Sequence, residues 1–131
     1  MKLELRNGLL FTSIHITYKG AVKEIKNVVI DTGAAETIIS PDIVEDIGII
    51  AEADDKINSF YGVGGSLHYF YLKEIDQINL GEANLSKIKI DFGVIDPKGY
   101  INGLLGLDLL MKIGAIIDLE ELAIKTKRTE C

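Results

Sequence analysis

The chain has 131 residues, is 47% hydrophobic and carries a formal charge of -6 with its Lys and Arg scattered, enough for one domain over residues 1–131 and a poor match to nucleic acid. A single cysteine, Cys131, excludes an intrachain disulfide or a cysteine-based metal cluster. No apolar run reaches the roughly 20 residues needed to cross a bilayer, and residues 1–6 alternate charged and apolar instead of forming a leader, so no membrane partner and a cytoplasmic location are expected.

In chain order the pattern is mostly strand. Leu10, Ile14, Ile16 and Tyr18 recur with period two, Ser13, His15 and Thr17 fall on the opposite face, and Lys19-Gly20 turns into a second strand over residues 22–30. Behind the apolar run Val28-Val29-Ile30 stands Asp31-Thr32-Gly33-Ala34. Ser40 is placed to cap a short helix with Pro41 at its first position, Asp42 and Glu45 near its positive end and Gly48 as its stop. Residues 57–72 read as a hairpin with a glycine-rich tip, and residues 75–80, 85–94, 115–118 and 122–127 as further strands. Asp96-Pro97-Lys98-Gly99 reads as a turn, and Asp108, just ahead of Leu109-Leu110-Met111, as a helix N-cap. A strand, turn and short helix recur around residues 104–113, with Gly106 near the place of Gly33, which hints at a duplicated β unit.

A strand apolar at every position is covered on both faces, so Asp31 enters partly desolvated surroundings that disfavour its charged form. Gly33 permits a tight turn that brings N–H groups toward the carboxylate, and Thr32 offers a sideways hydrogen bond with little bulk. Peptide hydrolysis by carboxylates needs two of them, one to take a proton from water and one to give a proton to the scissile carbonyl. The chain holds one Asp-Thr-Gly, so the second carboxylate is expected from a second copy.

Three segments, in order, resemble the retropepsin-like aspartic proteases, single-domain enzymes whose site is completed by homodimerisation. They are Ile30-Asp31-Thr32-Gly33-Ala34, Tyr61-Gly62-Val63-Gly64-Gly65 and Gly103-Leu104-Leu105-Gly106-Leu107-Asp108-Leu109-Leu110, and the likeness runs from about residue 28 to 118. The resemblance implies an all-β acid-protease barrel with one or two short helices, a duplicated β unit and a flap hairpin. It also implies an aspartic endopeptidase that needs neither metal nor organic cofactor. Asp31, Thr32 and Gly33 would be catalytic, and Ala34, Tyr61, Gly62, Val63, Gly64 and Gly65 would bind an extended protein or peptide substrate. Leu104, Leu105 and Gly106 would support the active-site loop, and Thr32 would reach across a homodimer. Retroviral members carry an acidic residue two positions after the catalytic glycine and an arginine after the apolar-apolar-glycine motif; here Ala35 and Leu107 stand there. Both ends of that ion pair are missing, which moves the chain toward cellular or bacterial relatives. As in retroviral relatives, the terminal strands at residues 2–6 and 122–127 are candidates for the dimer interface.

Each motif has a plainer rival. Asp31 alone would suit a turn after a strand. Residues 62–65 could be an ordinary hairpin tip, whereas a phosphate loop should lead into a helix and this one leads into residues 67–72, a strand pattern. Leu104 and Leu105 pack a core whatever else they do. His15 and His68 lack partners at metal-ligand spacing and read as strand residues. Against the enzyme stands a catalytically silent dimerisation or peptide-binding module on the same fold. A third reading, a domain that cuts itself from a precursor, is weakened by Met1.

Overall fold

The computed structural model describes residues 1–61, 65 and 67–126, with the backbone alone for Phe60 and Tyr61. The expected tip residues Gly62, Val63 and Gly64, the Lys127 end of the last expected strand and Cys131 lie outside the described residues.

Among the described residues, ten strands form two sheets. β1 (Glu4–Arg6), β2 (Leu9–Tyr18) and β3 (Ala21–Ile30) make a meander. The β2–β3 turn is tight because Lys19 and Gly20 both take positive φ, 48° and 87°, which matches the twist of the flanking strands. From Ile14 to Tyr18 the apolar residues point inward as the period-two reading expects; nearer β1 the register slips between Thr12 and Ile14, and Thr12 is buried. Its Oγ1 donates to the Lys2 carbonyl at 2.9 Å, which satisfies the buried hydroxyl.

β4 (Ile38–Ile39) is followed by two one-turn 3-10 segments, Pro41–Ile43 and Glu45–Ile47. The expected continuous helix is therefore absent, and Ser40 makes no side-chain cap; its N–H donates to the Asn102 carbonyl at 2.8 Å. The break falls at Val44, whose side chain is fully buried and whose backbone departs from helical geometry at φ -116°. Gly48 ends the segment with φ 88°, as its position predicts.

β5 (Ile57–Tyr61) pairs with the start of β6 (Leu67–Leu80), which in turn pairs with β7 (Ala83–Phe92). β6 is one 14-residue strand where the sequence reading left a gap at Lys73 and Glu74. The reason is that Lys73, 7% exposed, stays in the strand with its ammonium 2.7 Å from both Glu52 and Asp55. Burial opposes its charge, but these two carboxylates outweigh burial and raise its pKa. β8 (Gly103–Leu105) leads into α1 (Leu107–Lys112), and β9 (Ala115–Asp118) with β10 (Ala123–Thr126) forms a separate hairpin. The expected turn at residues 96–99 is present: the Asp96 side chain accepts from the N–H groups of Lys98, Tyr100 and Ile101.

The large sheet runs β1-β2-β3-β8-β4-β7-β6-β5, and an additional β2–β6 pairing joins two of its members. The strands from β2 through β3, β8, β4 and β7 to β6 therefore close into a six-stranded barrel. Ile14, Ile16, Ile25, Ile75, Ile78, Leu80, Phe92 and Leu105 are each at most 1% exposed inside it. The fold is thus the all-β barrel with a short helix that the sequence implies. The chain ends meet: the Leu3 N–H donates to the Leu122 carbonyl and the Ile124 N–H to the Met1 carbonyl, each at 2.8 Å. No helix among the described residues is long and apolar enough to cross a membrane.

Ile78 sits at the barrel closure, opposite Ile16, with no exposure. Ile78→Ala is expected to lower the unfolding free energy in urea titration by about 3 kcal/mol, the transfer loss plus the cavity left in a closed barrel. A change below about 1 kcal/mol would mean that the closure relaxes to fill the space.

Candidate active site

β3 and β8 run parallel, with Val28, Val29 and Ile30 opposite Gly103, Leu104 and Leu105. Val28 and Val29 are both buried, so the strand is covered on its two faces up to its last residues. The chain then leaves the sheet at Asp31, whose N–H donates to the Leu105 carbonyl at 3.0 Å. A tight turn follows, closed by the Ala34 N–H donating to the Asp31 carbonyl at 3.1 Å. The Asp31 side chain accepts from the Gly33 N–H at 2.9 Å. A Cβ on Gly33 would lie 3.2 Å from the same oxygen, so a larger residue would press on the carboxylate. Asp31 and Ala34 are half-buried, and Thr32 and Gly33 are exposed. The turn thus offers a carboxylate with one fixed N–H donor at the protein surface.

Beneath this turn lies the loop after β8. The Leu107 N–H donates to the Ala34 carbonyl at 2.9 Å and the Asp108 N–H to the Ala35 carbonyl at 3.2 Å. Thr37, 1% exposed, donates through Oγ1 to Asp108 Oδ1 at 2.7 Å and accepts at the same oxygen from the Gly106 N–H at 3.0 Å. The Thr37 N–H donates to Asp108 Oδ2 at 3.1 Å. Asp108 is therefore not the N-cap that its spacing predicts. Gly106 occupies the cap position without a side-chain bond, and Asp108, one residue inside the helix, is turned to Thr37 because that loop offers it two donors. Gly106 has ordinary backbone angles, and space is what requires a glycine: a Cβ would lie 2.7 Å from the Glu36 carbonyl carbon and oxygen and 2.9 Å from the Ala34 carbonyl oxygen. Leu105 is fully buried and Leu104 half-buried beside them.

The structure brings Asp31, Thr32, Gly33, Ala34, Leu104, Leu105 and Gly106 together. Of the tip residues, Gly65 is described, exposed and at φ 82°, while for Tyr61 only the backbone is, paired with Leu67. Where the retroviral pattern has an ion pair, Ala35 and Leu107 are exposed, and the Thr37–Asp108 bonds join the two loops. His15 lies on β2 with Nε2 3.6 Å from Glu24, and no group of three or more His, Cys, Asp or Glu among the described residues is arranged to hold a metal ion. The sequence reading missed Asp91, 5% exposed, and Asn58, whose amide donates to it at 3.2 Å. Asp91 falls at a polar position of the alternating stretch Ile88-Lys89-Ile90-Asp91-Phe92, so no local pattern marks it as buried.

The fold is shared with a retropepsin-like aspartic protease from Rickettsia conorii, at TM-score 0.67 and 19% identity, over 94% of this chain and 86% of that one. It is also shared with the retroviral protease-like domain of Ddi1 from Leishmania major, at TM-score 0.62 and 15% identity, over 92% and 89% of the two chains. A family model described as gag-polyprotein putative aspartyl protease matches residues 22–112. The chain belongs to the retropepsin-like aspartic proteases. Among its curated relatives in this retropepsin-like family, the DNA damage-inducible protein 1 of Neurospora crassa is 30% identical over 123 residues, 90% of this chain. The chain spans 26% or less of the length of the curated relatives it matches. Its departures at Ala35 and Leu107 agree with membership among the cellular retropepsin-like proteins.

In this retropepsin-like chain, Thr37→Val is expected to cost about 2 kcal/mol in chemical denaturation, since it keeps the volume but strands the Gly106 N–H and leaves Asp108 Oδ1 with the Leu109 N–H as its remaining donor. Thr37→Ser keeps both bonds and is expected to lose about half as much. No loss in Thr37→Val would show that the hydroxyl bridge adds nothing, and an equal loss in Thr37→Ser would show that the methyl group matters as much as the hydroxyl.

Proposed function

We propose that the chain is an aspartic endopeptidase whose reactive pair is Asp31 of one subunit and Asp31 of a second. The observation that carries this reading is the half-buried Asp31 carboxylate, fixed by the Gly33 N–H on a turn that two loops brace from below, in a chain with one Asp-Thr-Gly. Two such carboxylates at contact distance share one proton, because both cannot ionise together. The ionised one takes a proton from a water molecule as its oxygen bonds to the scissile carbonyl carbon, and the protonated one gives its proton to the carbonyl oxygen. The tetrahedral gem-diol then collapses: the C–N bond breaks as one carboxyl group gives its proton to the leaving nitrogen, and the other carboxylate takes a proton from a gem-diol hydroxyl as the new carbonyl forms, which restores the singly protonated pair. The second copy is also favoured by the surface beside the turn. Thr32, Leu107, Met111, Ala115 and Ile117 surround a recess there of about 350 Å³, and Met111 is 72% exposed. Thr32, exposed at its edge, is placed to meet the partner's turn.

In the same reading the β5–β6 hairpin is the flap, and backbone groups at residues 61–65 add a peptide as an extra strand. Ala34 lines the groove. Neither metal nor organic cofactor enters this chemistry.

Digestion of a diverse peptide library at high protein concentration, from acidic to neutral pH, is expected to give cuts that fall by at least about 100-fold in Asp31→Asn. Binding without Asp31-dependent cuts, in protein confirmed as dimeric, would identify a silent peptide-binding module instead. Specific activity is expected to fall on dilution in step with dimer dissociation measured by analytical ultracentrifugation, because a monomer holds half a site. Constant specific activity in a monomeric sample would refute the shared pair.

A further inference from the structure

Next to the Asp31 turn, a cavity of about 640 Å³ opens between the loop after β3 and the start of β5. Ala34, Ala35, Ile38 and Phe70 give it small and apolar walls. Two carboxyl groups face the same space, Glu36 from the loop and Asp91 from β7. Asp91 is 5% exposed, a position that carboxylates occupy when they are paired. Its neighbours are the Asn58 amide, which donates to Oδ1 at 3.2 Å, and the Glu36 carboxyl group, which lines the same cavity. Neither neighbour is a cation, and neither acid joins any ion pair among the described residues. The hydrogen bond with Asp91 and the charge of Asp91, followed by burial, hold the Glu36 carboxyl above the usual carboxylate range. Lys56, also lining the cavity, acts in the opposite direction without forming a contact pair.

Two adjacent carboxyl groups repel when both are charged, and a cation between them relieves that repulsion. A metal ion is the poorer candidate, since no third acidic or imidazole ligand gathers here among the described residues. A lysine or arginine side chain matches the cavity in both of its parts: the alkyl stem against the apolar walls, the charged head on the carboxylates and the Asn58 carbonyl oxygen. The geometry points to a specificity subsite for a basic residue, in which Glu36 and Asp91 receive a lysine or arginine of the peptide that lies across Asp31. This assignment rests on the peptidase reading of the groove and narrows its substrates to chains with a basic residue at one fixed distance from the cut.

The test compares peptides that differ at single positions as lysine or norleucine, with wild type, Glu36→Gln and Glu36→Lys. Glu36 is exposed, so these variants avoid the folding risk of replacing buried Asp91. In wild type, kcat/KM is expected to favour lysine over norleucine by about tenfold at one position, the worth of a charged hydrogen bond. Glu36→Gln is expected to bring that ratio toward one, and Glu36→Lys to abolish the lysine preference, since its own ammonium then faces Asp91. Asp31-dependent cleavage with no basic preference, or with one that Glu36 variants leave unchanged, overturns the subsite and leaves the peptidase standing. Without Asp31-dependent cleavage, the same peptides are titrated by fluorescence anisotropy. A Glu36-dependent lysine preference in binding then upholds the subsite and rejects the peptidase, and its absence rejects both.

Discussion

A single buried hydroxyl, that of Thr37, is shared between two loops 71 residues apart in sequence. As donor it fixes Asp108 at the start of α1, and as acceptor it takes the N–H of Gly106, so the loop after β3 and the loop after β8 cannot shift independently. Backbone bonds from Leu107 and Asp108 to Ala34 and Ala35 continue the same link. The position of Asp31 depends on this arrangement, because its turn has no other support on that side than the parallel β3–β8 pairing and the Asp31–Leu105 bond. Gly106 belongs to the same constraint: the loops approach so closely that a methyl group would meet the Glu36 carbonyl. A hydrogen-bonded hydroxyl in a dry setting suits this task, since leaving either of its partners unmade costs more than the bond gains.

Around that link the barrel supplies stiffness. Closure through β2 and β6 leaves those two strands without free edges over the paired stretch, and β6 extends beyond the barrel to carry β5. The same strand therefore serves as wall and as arm. Lys73, near the junction of the two, takes up Glu52 and Asp55 from the segment that enters β5, so the base of the hairpin is tethered by charge while its Ile57 and Tyr69 side chains stay exposed. The groove between arm and Asp31 turn is thus bounded by elements that the barrel positions on both sides.

Much of this was legible in the sequence because strands with one covered face write a period of two, and residues 14–18 do so. Asp31-Thr32-Gly33 was legible because an acid behind an unbroken apolar run has few structural uses. The failures share a cause, which is long-range pairing. Asp108 reads as a cap until Thr37 is placed beside it, and the helix that Ser40 would open is interrupted where Val44 enters the core. Lys73 reads as a strand break until Glu52 and Asp55 neutralise it. Asp91 was passed over because its partners, Asn58 and Glu36, lie 33 and 55 residues earlier in the chain. In each case a local propensity yielded to a partner that only the folded chain supplies.

The seam that closes the barrel joins His15, Ile16 and Thr17 to Asn79, Ile78 and Gln77. These partners are roughly 60 residues apart, so their meeting carries a large loop-closure entropy and cannot precede the hairpins on either side. The β2–β3 and β6–β7 hairpins, each joined by a short turn, can form as separate local units, and the short seam between them converts one curved open sheet into a closed surface. A barrel that had not yet closed would present two unpaired strand edges rich in isoleucine, so the interval before closure is when the chain is most open to edge-to-edge aggregation.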